Sequence, residues 1–138
     1  MIKKILVASD GSGAAVKAAK AAAVMAKAFG ARLTVATAAY IPRMYKVDLD
    51  GDMERAYVED WEHALNDTAH AIGDILAPET KLLRKGTPAE AIVEEAESGG
   101  YDLIVLGSRG TGNPGGTALG SVAAEVGRRA HCSVLVVR

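Results

Sequence analysis

The most constraining stretch of this chain lies near its C-terminus, from Asp102 to Ser121: DLIVLGSRGTGNPGGTALGS. It opens on a short apolar run, Leu103-Ile104-Val105-Leu106, partly β-branched and bounded by Gly107, which reads as a buried strand. Gly110, Gly112, Gly115 and Gly116 follow, then Gly120-Ser121 and a helix-compatible run from Val122 to Ala130. Strand, glycine-rich loop and helix N-terminus in that order make a phosphate-holding arrangement. Glycine lets backbone approach an anion with no Cβ between them and reaches positive φ at little cost. The first N–H groups of the helix and its dipole favour negative charge. No Lys stands as in G-x-x-x-x-G-K-[ST], so the loop is not a P-loop. The dinucleotide fingerprint fails as well, because it needs an acidic ribose-binding residue after a further strand and the loop lies too near the C-terminus.

Composition narrows the partners. A chain of 138 residues is most simply one domain, 1–138, long enough to bury an ordinary core. Apolar residues make up 49% and charged residues 24%, and the formal net charge is −1, which excludes a global field for nucleic acid or anionic membrane. The single cysteine, Cys132, excludes an internal disulfide framework and fits a reducing compartment. The apolar segment before Asp10 is too short for a signal peptide, and no run approaches a membrane span. The expectation is a cytoplasmic globular protein.

Taken in order, Ile2 to Ser9 reads as a strand, Asp10-Gly11-Ser12-Gly13 as turn and cap, and Ala14 to Phe29 as a helix of Ala, Val, Met and Lys ended by Gly30. Arg32 to Ala39 is a second strand, so the first 40 residues form a βαβ unit. Residues Tyr40 to Gly51 are irregular. A long helix from Asp52 to Leu76 buries one face, with Met53, Tyr57, Trp61, Ala64, Leu65, Thr68, Ile72, Ile75 and Leu76 at helical spacing. Thr80 to Lys85 is a short third strand. Thr87-Pro88-Ala89-Glu90 is a capping box with Pro at the first helical position. The strand and loop described first come next, and Cys132 to Val137 is the last strand. Five strands alternating with four helices predict an α/β fold: a single-domain, open, parallel five-stranded sheet in the flavodoxin-like, Rossmann-like order 3-2-1-4-5 with helices on both faces. Ligands in such sheets bind beyond the carboxyl ends of the strands at the switch between the first and fourth. Those ends carry Ala8-Ser9-Asp10 and Gly107-Ser108-Arg109-Gly110.

The glycine spacing and the topology therefore select one place. Gly107 and Gly110 would wrap phosphate and ribose, while the Gly120 and Ser121 N–H groups and the Ser121 hydroxyl, with Val122 in the same turn, would hold the outer phosphates. Asp10 either lines this site or only makes an Asx turn or helix cap. Arg109 reaches a phosphate or stays solvated on its loop. The spacer Thr111 to Leu119 would cross over the phosphates.

Three weaker signals have plain structural readings. Asp48-x-Asp50-x-Asp52 has Met53 where a calcium loop needs glycine. His63 and His70 are too far apart for a zinc pair and read as a solvated helix face. His131 and Cys132, adjacent on a strand, point to opposite faces, leaving Cys132 as a small core residue.

Gly107-x-x-Gly110, nine residues, then Gly120-Ser121 resembles the nucleotide-binding signature of the universal stress protein family. The resemblance extends through KILVASDGS, GTPAEAI, YDLIVLGSRG and HCSVLVV. It implies an ATP-binding type of that family, with Mg²⁺ on the phosphates, acting as a regulatory, stress-response homodimer. It implies that Asp10 lines the pocket near ribose, phosphate or metal, that Ala8 and Ser9 lie against the nucleoside, and that Ala38 takes an adenine-contacting position that is often Val. It also implies dimerisation through the final strand, Ser133–Val137. An apolar edge there invites pairing with a twin, or covering by residues 40–51. No strong catalytic set is visible, so binding with at most slow hydrolysis is expected. The rivals are an ATPase or adenylate-using enzyme, a binder of AMP or cyclic AMP, and a nucleotide-free interaction module.

Overall fold

The computed structural model describes residues 1–41, 51–109 and 119–138. Among these, β1 (Lys4–Ala8), α1 (Gly13–Phe29), β2 (Arg32–Ala38), α2 (Asp52–Ile72), β3 (Glu79–Leu83), α3 (Pro88–Ser98), β4 (Leu103–Gly107), α4 (Ser121–Arg129) and β5 (Ser133–Val137) follow one another. The sheet is parallel throughout, in the order β3-β2-β1-β4-β5. The order anticipated from the sequence is the one observed.

Strand periodicity explains how the core divides. Ile5 and Val7 of β1, Leu33 and Val35 of β2, and Leu103 and Val105 of β4 point to one face. There they meet the alanine stripe of α1, from Ala18 to Ala26, and Leu65 and Ile72 of α2. Leu6, Ala8, Ala36, Ile104 and Leu106 point to the other face, against Ala89 and Ile92 of α3 and Ala123 and Val126 of α4. The buried alanines let α1 lie close on the sheet, and Gly30 at φ 67° ends it by donating its N–H to the Ala26 carbonyl.

Most element ends shift by a residue or two from those read off the sequence, and three of the shifts have a visible cause or partner. α2 stops at Ile72 rather than Leu76, because Gly73 follows and Ile75 and Leu76 both donate to the Ile72 carbonyl (3.0 and 3.1 Å) in a turn. β3 runs over Glu79–Leu83 instead of Thr80 to Lys85, set by its pairing of Thr34 with Glu79 through Ala38 with Leu83. α4 begins one residue early, at Ser121. Met53, placed by spacing on the buried face of α2, is 43% exposed. The capping box of α3 forms as anticipated: the Glu90 N–H donates to Thr87 Oγ1 and the Thr87 N–H to Glu90 Oε2, both at 3.3 Å. No described helix is long and apolar enough to cross a membrane.

Candidate functional site

The reversal of winding between β1 and β4 leaves a crevice at the carboxyl ends of these strands. A cavity of about 460 Å³ occupies it. β1 and its loop contribute Ala8, Ser9 and Asp10; β2 contributes Ala38; β4 and its loop contribute Leu106, Gly107 and Arg109; and the start of α4 contributes Gly120, Ser121, Val122 and Ala123. Nine sequence-predicted residues thus share one wall: Ala8, Ser9, Asp10, Ala38, Gly107, Arg109, Gly120, Ser121 and Val122. Gly110, and the spacer from Thr111 as far as residue 118, lie outside the described residues, as do Asp48 and Asp50.

The loop after β1 is held by its own bonds. The Thr68 hydroxyl donates to the Ala64 carbonyl (2.9 Å), so the Ser9 hydroxyl donates to Thr68 Oγ1 (2.8 Å) and in turn accepts from the Gly11 N–H (3.1 Å). Ser9 lines the cavity with its hydroxyl proton already committed to α2. Gly11 takes φ 82°, and a Cβ there would lie 2.9 Å from that of Ala64, so only glycine fits this turn. Asp10 makes the Asx turn, accepting from the Ser12 N–H (2.9 Å), and lines the cavity as well. Ser12 caps α1 through the Ala15 N–H (3.2 Å).

The β4 side adds three details to the sequence reading. Gly107 does not take a positive φ. It is glycine because a Cβ would sit 2.9 Å from the Ala14 carbonyl oxygen, so the close approach it permits is to α1 backbone. Ser108 is buried and does not line the cavity; its N–H donates to the Val137 carbonyl (2.9 Å) and its carbonyl accepts from the Gly120 N–H (2.6 Å). That last bond engages the Gly120 N–H within the chain, leaving the N–H groups of Ser121, Val122 and Ala123 as the first-turn donors. They precede the first intrahelical bond, from the Ala124 N–H to the Gly120 carbonyl (2.9 Å). Gly120 is the N-cap, with no side-chain cap, and Ser121 is exposed at the cavity wall. The helix end and Arg109 bring positive potential to one side, and Asp10 is the one carboxylate among the described lining residues.

Sequence reasoning missed Trp61, Pro88 and Ile92 as cavity residues. Apolar character at helical spacing marked Trp61 and Ile92 only as core, and Pro88 read as the first residue of a capped helix. No group of three metal-binding side chains exists among the described residues, His63 and His70 included. Cys132 is half-buried against the α3 and α4 side of the core, and burial pushes its thiol above the ordinary value.

The sequence matches the Universal stress protein family over residues 1–138. The chain belongs to the universal stress protein family. A universal stress protein of Thermus aquaticus is 43% identical over 141 residues, spanning 100% of both chains. Among solved structures, a universal stress protein in complex with cAMP aligns with a TM-score of 0.76 at 28% identity, covering 99% of this chain and 97% of that one. The universal stress protein from Archaeoglobus fulgidus in complex with dAMP aligns with a TM-score of 0.76 at 25% identity over 100% of each chain.

Proposed function

We propose that this universal stress protein binds an adenine nucleotide, with ATP and Mg²⁺ as the first candidate, in the cavity at the ends of β1 and β4, and that it serves a regulatory, stress-response role. The observation that carries the reading is the convergence of the β1 end, the β2 end and the first turn of α4 on one cavity of about 460 Å³, a volume suited to a nucleotide. Two structural relatives solved with adenine nucleotides support it. The α4 first-turn N–H groups, the Ser121 hydroxyl and Arg109 would hold phosphate; Ala8 and Ala38 would pack against the base. Asp10 would stand beside ribose or a phosphate-bound Mg²⁺. The metal would neutralise phosphate charge when bound.

A nucleotide with one phosphate is the second reading. It is favoured by the bond that engages the Gly120 N–H and by the single phosphate of both relatives' ligands. A homodimer through β5 is part of the proposal, since β5 ends the sheet and Leu135 is 37% exposed.

The test is a thermal-shift titration with ATP, ADP, AMP and cyclic AMP, with and without Mg²⁺, on wild type and Gly120→Val. Gly120 has extended backbone that valine can adopt, and the variant places a branched side chain at the cavity wall. A native-state ligand at about a thousand times its Kd adds about 4 kcal/mol. Stabilisation of wild type but not of the variant is the expected result. No shift with any nucleotide would overturn the reading. Light scattering on wild type and Leu135→Lys tests the dimer, which the lysine should dissociate.

A further inference from the structure

We infer that Trp61 is a base-stacking residue of this cavity, the aromatic wall against which the nucleobase lies; the inference rests on the nucleotide-binding reading above. Among the described residues that line the cavity, Trp61 is the one aromatic side chain. The apolar wall around it is small or aliphatic: Ala8, Ala38, Pro88 and Ile92. Alanine at position 38 offers a base little contact area. A purine held by such a wall alone would keep much of its flat face in water. An indole supplies the missing area, and stacking on an aromatic ring weakens about 5- to 150-fold when the ring is removed.

The ring is also held in place. Trp61 Nε1–H donates to the Tyr40 carbonyl (3.0 Å). Tyr40 lies two residues beyond the end of β2, tied by its own N–H to the Ala38 carbonyl (3.0 Å) and, through the Ala39 N–H, to the Leu83 carbonyl of β3 (2.7 Å). The indole is therefore fastened to the strand end that presents Ala38. Along α2, Ala64 abuts Gly11 and Thr68 receives the Ser9 hydroxyl, so the helix that carries Trp61 is pinned to the loop that carries Asp10. Few rotamers then remain to be lost when a base arrives, which favours stacking.

The experiment uses the intact protein, in which Trp61 is the sole tryptophan and the sole source of indole emission. Calorimetry with AMP and ATP is run on wild type, Trp61→Phe and Trp61→Ala, with indole emission of wild type followed during the same titrations. The expected result is a change in emission on binding and a loss of about tenfold or more in Trp61→Ala, equal for AMP and ATP because the base is common to both. Trp61→Phe, which keeps an aromatic face and lacks the N–H, should bind within about threefold of wild type. Nucleotide binding with unchanged emission and unchanged Trp61→Ala affinity overturns the stacking role and leaves the nucleotide reading intact. Equal losses in Trp61→Phe and Trp61→Ala also overturn it, assigning Trp61 to the bond with Tyr40. Absence of binding to wild type overturns both. Should Trp61→Ala fail to fold, wild-type emission and Trp61→Phe affinity still decide.

Discussion

The two ends of the sheet are built on opposite plans. At the amino ends, chain bonds to chain. Asp102 Oδ2 accepts from the Lys3 and Lys4 N–H groups (2.8 and 3.0 Å), and the Asp102 N–H donates to the Lys4 carbonyl (2.8 Å). The Arg32 N–H donates to the Lys3 carbonyl (2.9 Å), and Lys4 Nζ reaches the Gly99 carbonyl (2.6 Å) while lying 4.5 Å from the centre of the Tyr101 ring. At the carboxyl ends, the same strands part around a cavity. The β1 loop there is self-satisfied through Ser9, Asp10 and Ser12, whereas α4 starts on Gly120 without a side-chain cap. The amino ends are thus closed by chain-to-chain bonds, whereas the carboxyl ends set a rigid β1 loop against a helix start whose first-turn N–H groups have no side-chain cap.

The comparison can be broken most forcefully at Gly11. Gly11→Ala should cost about 3 kcal/mol in urea unfolding, from the strain of φ 82° and the contact with Ala64. A loss under about 1 kcal/mol would mean that the β1 loop is not rigid. Next, capped and uncapped helices should separate. Ser12→Ala and Thr87→Ala should each lower stability by about 1 kcal/mol, while Ser121→Ala should change it by less than about 0.5 kcal/mol and instead weaken nucleotide binding.

A smaller effect belongs to the closed end and to acid. The backbone N–H of Lys3, foremost, holds the Asp102 carboxyl below its ordinary value of 3.8. A folded value below the unfolded one stabilises at pH above the unfolded value and is lost as pH falls through the folded one. Wild type should therefore lose stability through the region below 3.8, and Asp102→Asn should flatten that limb of a melting-temperature profile. The smallest effect should be at Arg32 and Glu79, an exposed pair at 2.8 Å, where Arg32→Ala should leave the melting temperature unchanged at physiological salt.

Most of the fold was legible because its signals are local. Alternating elements, the Thr87–Glu90 box, Gly30 and Pro88 each act on neighbours within a turn or so of chain, and they carried the strand order with them. The wall of the site was legible for a related reason: the switch point follows from strand order, and strand ends can be counted along the sequence. Ala8, Ser9, Asp10 and Gly107 line one cavity as that count places them, joined by Ser121 from the glycine spacing and by Ala38, which only the family resemblance implied.

Residue spacing alone was enough for the alternation of strand and helix, the parallel order that follows from it, and the end of the sheet where a ligand has room. It could not say why Gly107 is glycine, where the Gly120 N–H goes, that Ser9 is tied to Thr68, or that Trp61 faces the cavity. Each depends on which atoms, dozens of residues apart or across separate elements, come within about 3 Å. Hydrogen bonds and steric contacts act at that range, and only the packed chain brings those atoms to it.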